Sequence, residues 1–128
     1  MSSPSLALRA LFARTASRLD FDRLSSTTAG LSPAAKALAA VAAARARPGL
    51  TLLVVPTDRD VEQMTGDARF FFAALEGAAA SAAEAAVVPC PSLQVDPYRG
   101  MSPHFKVAAA RGRALYLAAA GIAIRPVV

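Results

Sequence analysis

Cysteine, histidine and tryptophan are almost absent from this sequence. It contains one cysteine, Cys90, one histidine, His104, and no tryptophan. A single cysteine cannot form an internal disulfide, and no cluster of Cys and His has the spacing of a structural zinc site. A nucleophilic Cys/His enzyme would need Cys90 and His104 side by side, and nothing in the sequence places them together. The scarcity therefore disfavours zinc, disulfide and Cys/His chemistry, and it fits a protein of the reducing cytoplasm.

Long apolar runs are also missing. Although 55% of the 128 residues are hydrophobic, much of that fraction is alanine. No stretch reaches the roughly 18 consecutive, strongly apolar residues that predict a membrane span. The length fits one domain, or part of one, with a hydrophobic core of its own.

Acidic residues are absent from both ends of the chain. Residues 1–19 carry three arginines, and residues 99–128 carry five basic residues. All nine acidic residues lie between these two ends, and the net charge of the chain is +5. Basic ends can contact phosphates or an acidic protein surface, although ordinary solvated helix faces explain them better. The Ser- and Arg-rich start also resembles an organellar transit peptide, a second interpretation that stays open.

Four segments have the pattern of helices. The first twenty residues form an amphipathic helix with Leu8, Leu11, Phe12 and Leu19 on one face. A second helix spans 33–46, with Ser32 as its cap. A third begins at Thr57 or Asp58, and a wide apolar stripe runs along it: Val61, Met64, Ala68, Phe71, Phe72 and Leu75. A fourth, capped by Ser102, reaches Ala120 before Gly121.

Short β-branched or apolar runs separate these helices. They lie at residues 24–28, 50–55, 86–88 and 121–128, and each is predicted to be a strand. Alternating strands and helices predict an α/β fold, a parallel sheet with flanking helices, incomplete at its C-terminal end. Residues 1–29 are predicted to be a helix and lead-in, and residues 30–128 the α/β domain.

The segment from Gly30 to Ala37 has the outline of a phosphate-binding P-loop. A working loop needs a second glycine so that backbone N–H groups can wrap the phosphates, and a hydroxyl after the lysine to bind magnesium. Here Ala35 and Ala37 stand at those positions beside Lys36, while Ser32 caps the helix and its neighbour Pro33 removes one N–H. The loop is therefore predicted to be degenerate, without bound nucleotide or metal.

Other charged residues are weaker candidates for a site. Asp58, Asp60 and Glu62 crowd one helix start, where a favourable interaction with the helix dipole explains them. Lys106 and Arg113 are seven residues apart on the fourth helix and are the best candidates there for a phosphate or partner contact. No catalytic residue is predicted.

Several short matches, taken in order, resemble transcription-repair coupling factors. They are Gly30-Leu31-Ser32 through Lys36-Ala37-Leu38, Leu52 to Val55, Pro91-Ser92, Pro97-Tyr98, Ser102-Pro103-His104 and Arg113-Ala114-Leu115. Together they span residues 30–128. The chain departs from the family at Leu93 and Gln94, where tryptophan and an acid are usual, and at Arg99, which replaces an acid.

The resemblance implies a module similar to the start of UvrB, P-loop NTPase-like in fold, without the ATP site that UvrB retains. It also implies a bacterial, cytoplasmic parent protein, an ATP- and magnesium-dependent translocase on double-stranded DNA. That parent would displace stalled RNA polymerase and recruit UvrA in nucleotide excision repair, while this segment would serve as non-catalytic scaffold. The alternatives are a stand-alone P-loop enzyme and a UvrB-type repair subunit.

Overall fold

The structure is a computed structural model that describes residues 4–18, 29–96, 98 and 100–120. These residues contain five α-helices: α1 (Pro4–Ser17), α2 (Pro33–Ala46), α3 (Asp58–Glu76), α4 (Ala80–Ala86) and α5 (Phe105–Ala120). Within these ranges, no helix is long and apolar enough to cross a membrane.

The residues that flank α2 explain where this helix begins and ends. Ser32 has an extended backbone, and its hydroxyl accepts a hydrogen bond from the backbone N–H of Ala35. Pro33 fits the first helical turn because its fixed φ suits a helix and its missing N–H would have no partner there. The helix stops before Pro48, which cannot continue it. The predicted helix at 33–46 is confirmed.

The longest helix, α3, supplies the largest share of the core. Thr57 caps its start, and Gly77 ends it with a left-handed φ of 65°. The predicted stripe is confirmed, since five of its members are buried, namely Met64, Ala68, Phe71, Phe72 and Leu75. Val61 is half-buried.

Helices α1, α2 and α4 all pack against α3. From α2, Ala37 and Val41 are fully buried in this core. The ring of Phe12 in α1 meets Phe71 edge to face, with the ring centres 5.1 Å apart. The core is therefore formed by helix packing, with alanine faces that let the helices approach closely.

The predicted apolar face of α1 is only partly right. Phe12 packs on α3, but Leu8 and Leu11 are 48% and 57% exposed. Ala16, one turn beyond Phe12, is buried instead. The predicted Leu19 lies outside the described residues. Because Ala16 is small and lies on the same face as Phe12, α1 packs closer to the core than the predicted leucine face would allow.

The predicted α/β fold with a parallel sheet is wrong for the described residues, which contain helices and no sheet. In residues 50–55 only Thr51 forms an isolated bridge, and Val87 is the other isolated bridge residue in the described part of the chain. Helix α4 continues to Ala86, and Pro89 has no N–H to donate, so almost no backbone remains around Val87 for pairing. The runs predicted as strands at 24–28 and 121–128 lie outside the described residues.

The last helix differs from the prediction at its start. α5 begins at Phe105, not at Ser102, and the carbonyl of His104 accepts the first helical hydrogen bonds, from the N–H groups of Val107 and Ala108. On its inner side, Ala114 is buried and Val107 is half-buried. Among the described helices, α5 makes no close backbone contact with another one. It lies against extended chain instead.

Candidate functional site

The degenerate loop at Gly30 is a capped helix start. Gly30 has a φ of 81°, a left-handed conformation that glycine adopts without strain. The Oγ of Ser32 accepts the Ala35 N–H at 3.3 Å, and the carbonyl of Ser32 accepts the Lys36 N–H at 2.9 Å. Pro33 has no N–H. At most one of the first three N–H groups of α2 therefore remains to meet a phosphate.

The two alanines of this loop have different surroundings. Ala37 is 0% exposed and packs in the core, so a hydroxyl at this position would point into apolar side chains and away from a magnesium ion. Ala35 is half-buried, while Lys36 is exposed. The lysine side chain is thus accessible, but the backbone around it does not form an anion cradle.

The acidic residues at the start of α3 have structural partners. The Oγ1 of Thr57 accepts the Asp60 N–H at 3.1 Å, and its O–H donates to Oδ2 of Asp60 at 2.6 Å. This reciprocal arrangement is a helix cap. Glu62 is exposed on the next turn. Asp60 is therefore committed to capping, as the dipole interpretation of this cluster suggested.

Asp58 holds the loop that follows Pro89. Its carboxylate accepts hydrogen bonds from the N–H of Ser92 at 2.7 Å, the hydroxyl of Ser92 at 2.6 Å and Nε2 of Gln94 at 3.1 Å. The Ser92 hydroxyl, then its backbone N–H and the Gln94 amide, lower the pKa of Asp58, with a smaller contribution from the charge of Arg111. Because three donors already bind this carboxylate, its role is structural: it holds the loop against the start of α3.

The same loop is also tied to α5. Arg111 donates from Nη1 to the carbonyl oxygen of Pro91 at 2.6 Å. Gln94 has a positive φ of 57°, an uncommon conformation for a residue with a side chain. Sequence reasoning missed both Arg111 and the pairing of Asp58 with Ser92. The two partners of Asp58 are 34 and 36 residues away in the chain, and no local spacing relates them.

Cys90 and His104 have separate roles. Cys90 is half-buried and lines an apolar groove. His104 is exposed, accepts the Lys106 N–H on Nδ1 at 3.3 Å and stacks against Phe105 with the ring centres 4.7 Å apart. The described contacts of His104 thus belong to the start of its own helix.

Lys106 and Arg113 both lie exposed on α5. Seven residues make about two helical turns, so the two side chains share one side of the helix. Leu115 is two residues from Arg113, which rotates it by about 200°, to another side. The predicted pair therefore forms a small basic strip that does not face the groove described next.

An apolar groove of about 380 Å³ separates α3 from α5. Residues of the segment 50–55 line it, together with Val87, Pro89 and Cys90. Among the described residues, no charged side chain lines it. The lining residues are Leu50, Leu52, Leu53, Val54, Val55, Val61, Met64, Thr65, Ala68, Val87, Pro89, Cys90, Ala114, Leu115 and Ala118.

Several of these apolar side chains are open to solvent. Leu52 is 66% exposed, Val54 80% and Leu115 60%. Scattered exposed leucines are normal, but a contiguous apolar surface marks a site of interaction. Among the described residues, no three His, Cys, Asp or Glu side chains come together as a metal site. The groove is therefore suited to apolar packing.

Comparisons with protein-family models, with curated proteins and with solved structures found no match for this chain.

Proposed function

We propose that this chain is a non-catalytic scaffold module from the front of a transcription-repair coupling factor. The ordered sequence matches within residues 30–128 are the reason for naming that family. The helical architecture of the described residues counts against the α/β domain that the resemblance implies. The proposal therefore depends on the sequence matches and on the geometry of the degenerate loop, and not on the fold.

The observation that carries the scaffold role is the environment of Ala37. A side chain with no exposed surface is part of the core, where a magnesium-binding hydroxyl has no function. The Ala35 N–H is held by Ser32, which favours a structural helix start over a phosphate cradle. Both features support a module without a nucleotide site and disfavour the stand-alone P-loop enzyme and the UvrB-type subunit.

The parent protein of this proposal is a bacterial, cytoplasmic translocase. It would use ATP and magnesium in motor domains elsewhere in the protein, act on double-stranded DNA, displace stalled RNA polymerase and recruit UvrA. No residue of this chain is assigned to the UvrA contact. The exposed strip of Lys106 and Arg113 remains the best candidate on α5 for a contact with phosphate or with an acidic partner.

Calorimetry with ATP and magnesium tests the scaffold role. We expect no binding heat from the natural chain. A micromolar dissociation constant, about −8 kcal/mol, would favour the P-loop enzyme, provided that Lys36→Ala abolishes it. Lys36 is exposed, so this control variant should fold, and heat that survives the substitution would indicate binding elsewhere on the surface.

Strand-specific repair in the source cell tests the family assignment. Deleting the gene should slow removal of ultraviolet damage from the transcribed strand, and leave the other strand unaffected. Equal repair of both strands before and after deletion would refute a coupling role, whatever the calorimetry gives.

A further inference from the structure

We propose that the apolar groove between α3 and α5 is a docking site for the chain's own C-terminal segment, residues 121–128. This inference is independent of the proposed function. It rests on the apolar lining of the groove, on the position where α5 ends, and on the composition of the eight residues that follow.

The groove selects an apolar occupant. The lining residues that the structure describes carry no charge, and two of them, Leu52 and Val54, are 66% and 80% exposed. A polar or charged occupant would lose hydration there without gaining partners. An apolar one would remove these side chains from water, which is the main favourable contribution to association.

The C-terminal segment has the required composition. Four of its eight residues are large and β-branched, namely Ile122, Ile124, Val127 and Val128, and Arg125 is its only charged side chain. The Lys106 and Arg113 strip lies on another side of α5 and adds no positive charge to the wall of the groove. The groove and the segment therefore match in polarity.

The end of α5 brings this segment to the groove. Ala118 lines the groove, and the helix ends two residues later at Ala120, about 3 Å further along the helix axis. Eight extended residues can span about 26 Å, several times the rise of about 6 Å from Ala114 to Ala118. The next residue in the sequence is Gly121, and glycine is the residue type that most readily ends a helix in a left-handed conformation.

Tethering favours this segment over other occupants. A segment joined to the wall of its own site has an effective concentration in the millimolar range. A second copy of the chain, or an unrelated apolar peptide, would have to bind much more tightly to displace it. The groove is consequently occupied within one molecule.

The single cysteine provides a direct probe, because Cys90 lines the groove. The rate of Cys90 alkylation by N-ethylmaleimide would be measured in the full chain and in the double variant Ile122→Asp, Ile124→Asp. Two buried charges should expel the segment, and we expect alkylation to accelerate about tenfold or more as protection is lost. An unchanged rate would overturn the proposal.

The control is Arg125→Asp, which alters charge in the same segment without removing an apolar side chain. We expect its alkylation rate to stay within about twofold of the natural chain. The natural rate should also be constant between about 1 and 100 μM protein, well below a millimolar tether concentration. A rate that falls as concentration rises would mean that a second copy covers the groove, and would overturn the proposal.

A disulfide test decides the matter if the double variant fails to fold. Ile122→Cys and Ile124→Cys, made singly, should form an intramolecular disulfide with Cys90 under oxidised glutathione. Tyr116→Cys is the control, because Tyr116 is 64% exposed and does not line the groove. Crosslinking of at least one segment variant about tenfold faster than the control is expected for a docked segment. Equal rates in all three would refute docking.

Discussion

The packing of Phe12 on α3 gives the sharpest test of the fold. Its ring meets those of Phe71 and Phe70 edge to face, with centres 5.1 and 5.9 Å apart. Phe12 is half-buried, so Phe12→Ala removes about half of a full aromatic burial and should lower the free energy of unfolding by about 1–2 kcal/mol. Leu11→Ala, at a 57% exposed neighbour on the same helix, should change it by less than about 0.5 kcal/mol.

The assay is urea unfolding followed by far-ultraviolet circular dichroism, since the chain has no tryptophan. A double-mutant cycle of Phe12→Ala with Phe71→Leu isolates the ring contact, for which we expect a coupling of about 0.5–1.5 kcal/mol. Phe71→Leu is chosen because it keeps apolar volume at a buried position. Equal effects of Phe12→Ala and Leu11→Ala, together with zero coupling, would refute the docking of α1 on α3.

Two further predictions concern the ends of α3. Because hydrogen bonds hold the pKa of Asp58 below its ordinary value of 3.8, its stabilising contribution is present above that value and is lost as the pH falls through the lower, folded-state pKa. The urea midpoint should therefore fall at acid pH. Asp58→Asn should remove this part of the fall, whereas Glu62→Gln should keep it. Identical pH profiles for the natural chain and the two variants would contradict the role of Asp58 in holding the loop. At the other end, Gly77→Ala should destabilise by about 1 kcal/mol or more, since its φ of 65° strains a residue that has a side chain. The guanidinium of Arg9 would lie 2.7 Å from the new Cβ, but this flexible side chain can move away. Inside the same helix, the new Cβ of Gly66→Ala meets nothing within 4 Å, so this variant should be stabilised by about 0.5–1 kcal/mol. Thermal unfolding compares the two variants. A shift of the melting temperature with the same sign in both would contradict the assignment of Gly77 as the helix end.

Helices were predictable from the sequence because their signals are local. Ser32 and Pro33 define the start of α2, and the stripe from Val61 to Leu75 defines the buried face of α3 within one stretch of chain. The predicted strands were wrong in the part of the chain that the structure describes, because a strand exists only when a second segment pairs with it. The run 50–55 has strand composition, but α4 and Pro89 leave almost no backbone opposite it beyond Val87.

The same distinction between local and long-range signals applies to the candidate site. The degenerate character of the Gly30 loop follows from Ala35 and Ala37 alone, while the full burial of Ala37 depends on how α2 packs against α3. The start of α5 was misplaced because Ser102 with Pro103 is a strong local signal. In the structure His104 takes that place, through its backbone carbonyl and its ring nitrogen.

The position of α5 depends on polar ties more than on helix packing. No described helix packs closely against it, and the loop that reaches it is fixed at Ser92 by Asp58 and at Pro91 by Arg111. Those two residues therefore hold the loop to the start of α3 and to α5, the two helices on either side of the groove. Asp58 belongs to an acidic cluster that sequence analysis explains by helix capping alone. Its larger role follows from a partner 34 residues away. Weakening this tie should open the groove before it unfolds the core of α2 and α3, because the hydrogen bonds between Asp58 and Ser92 are exposed.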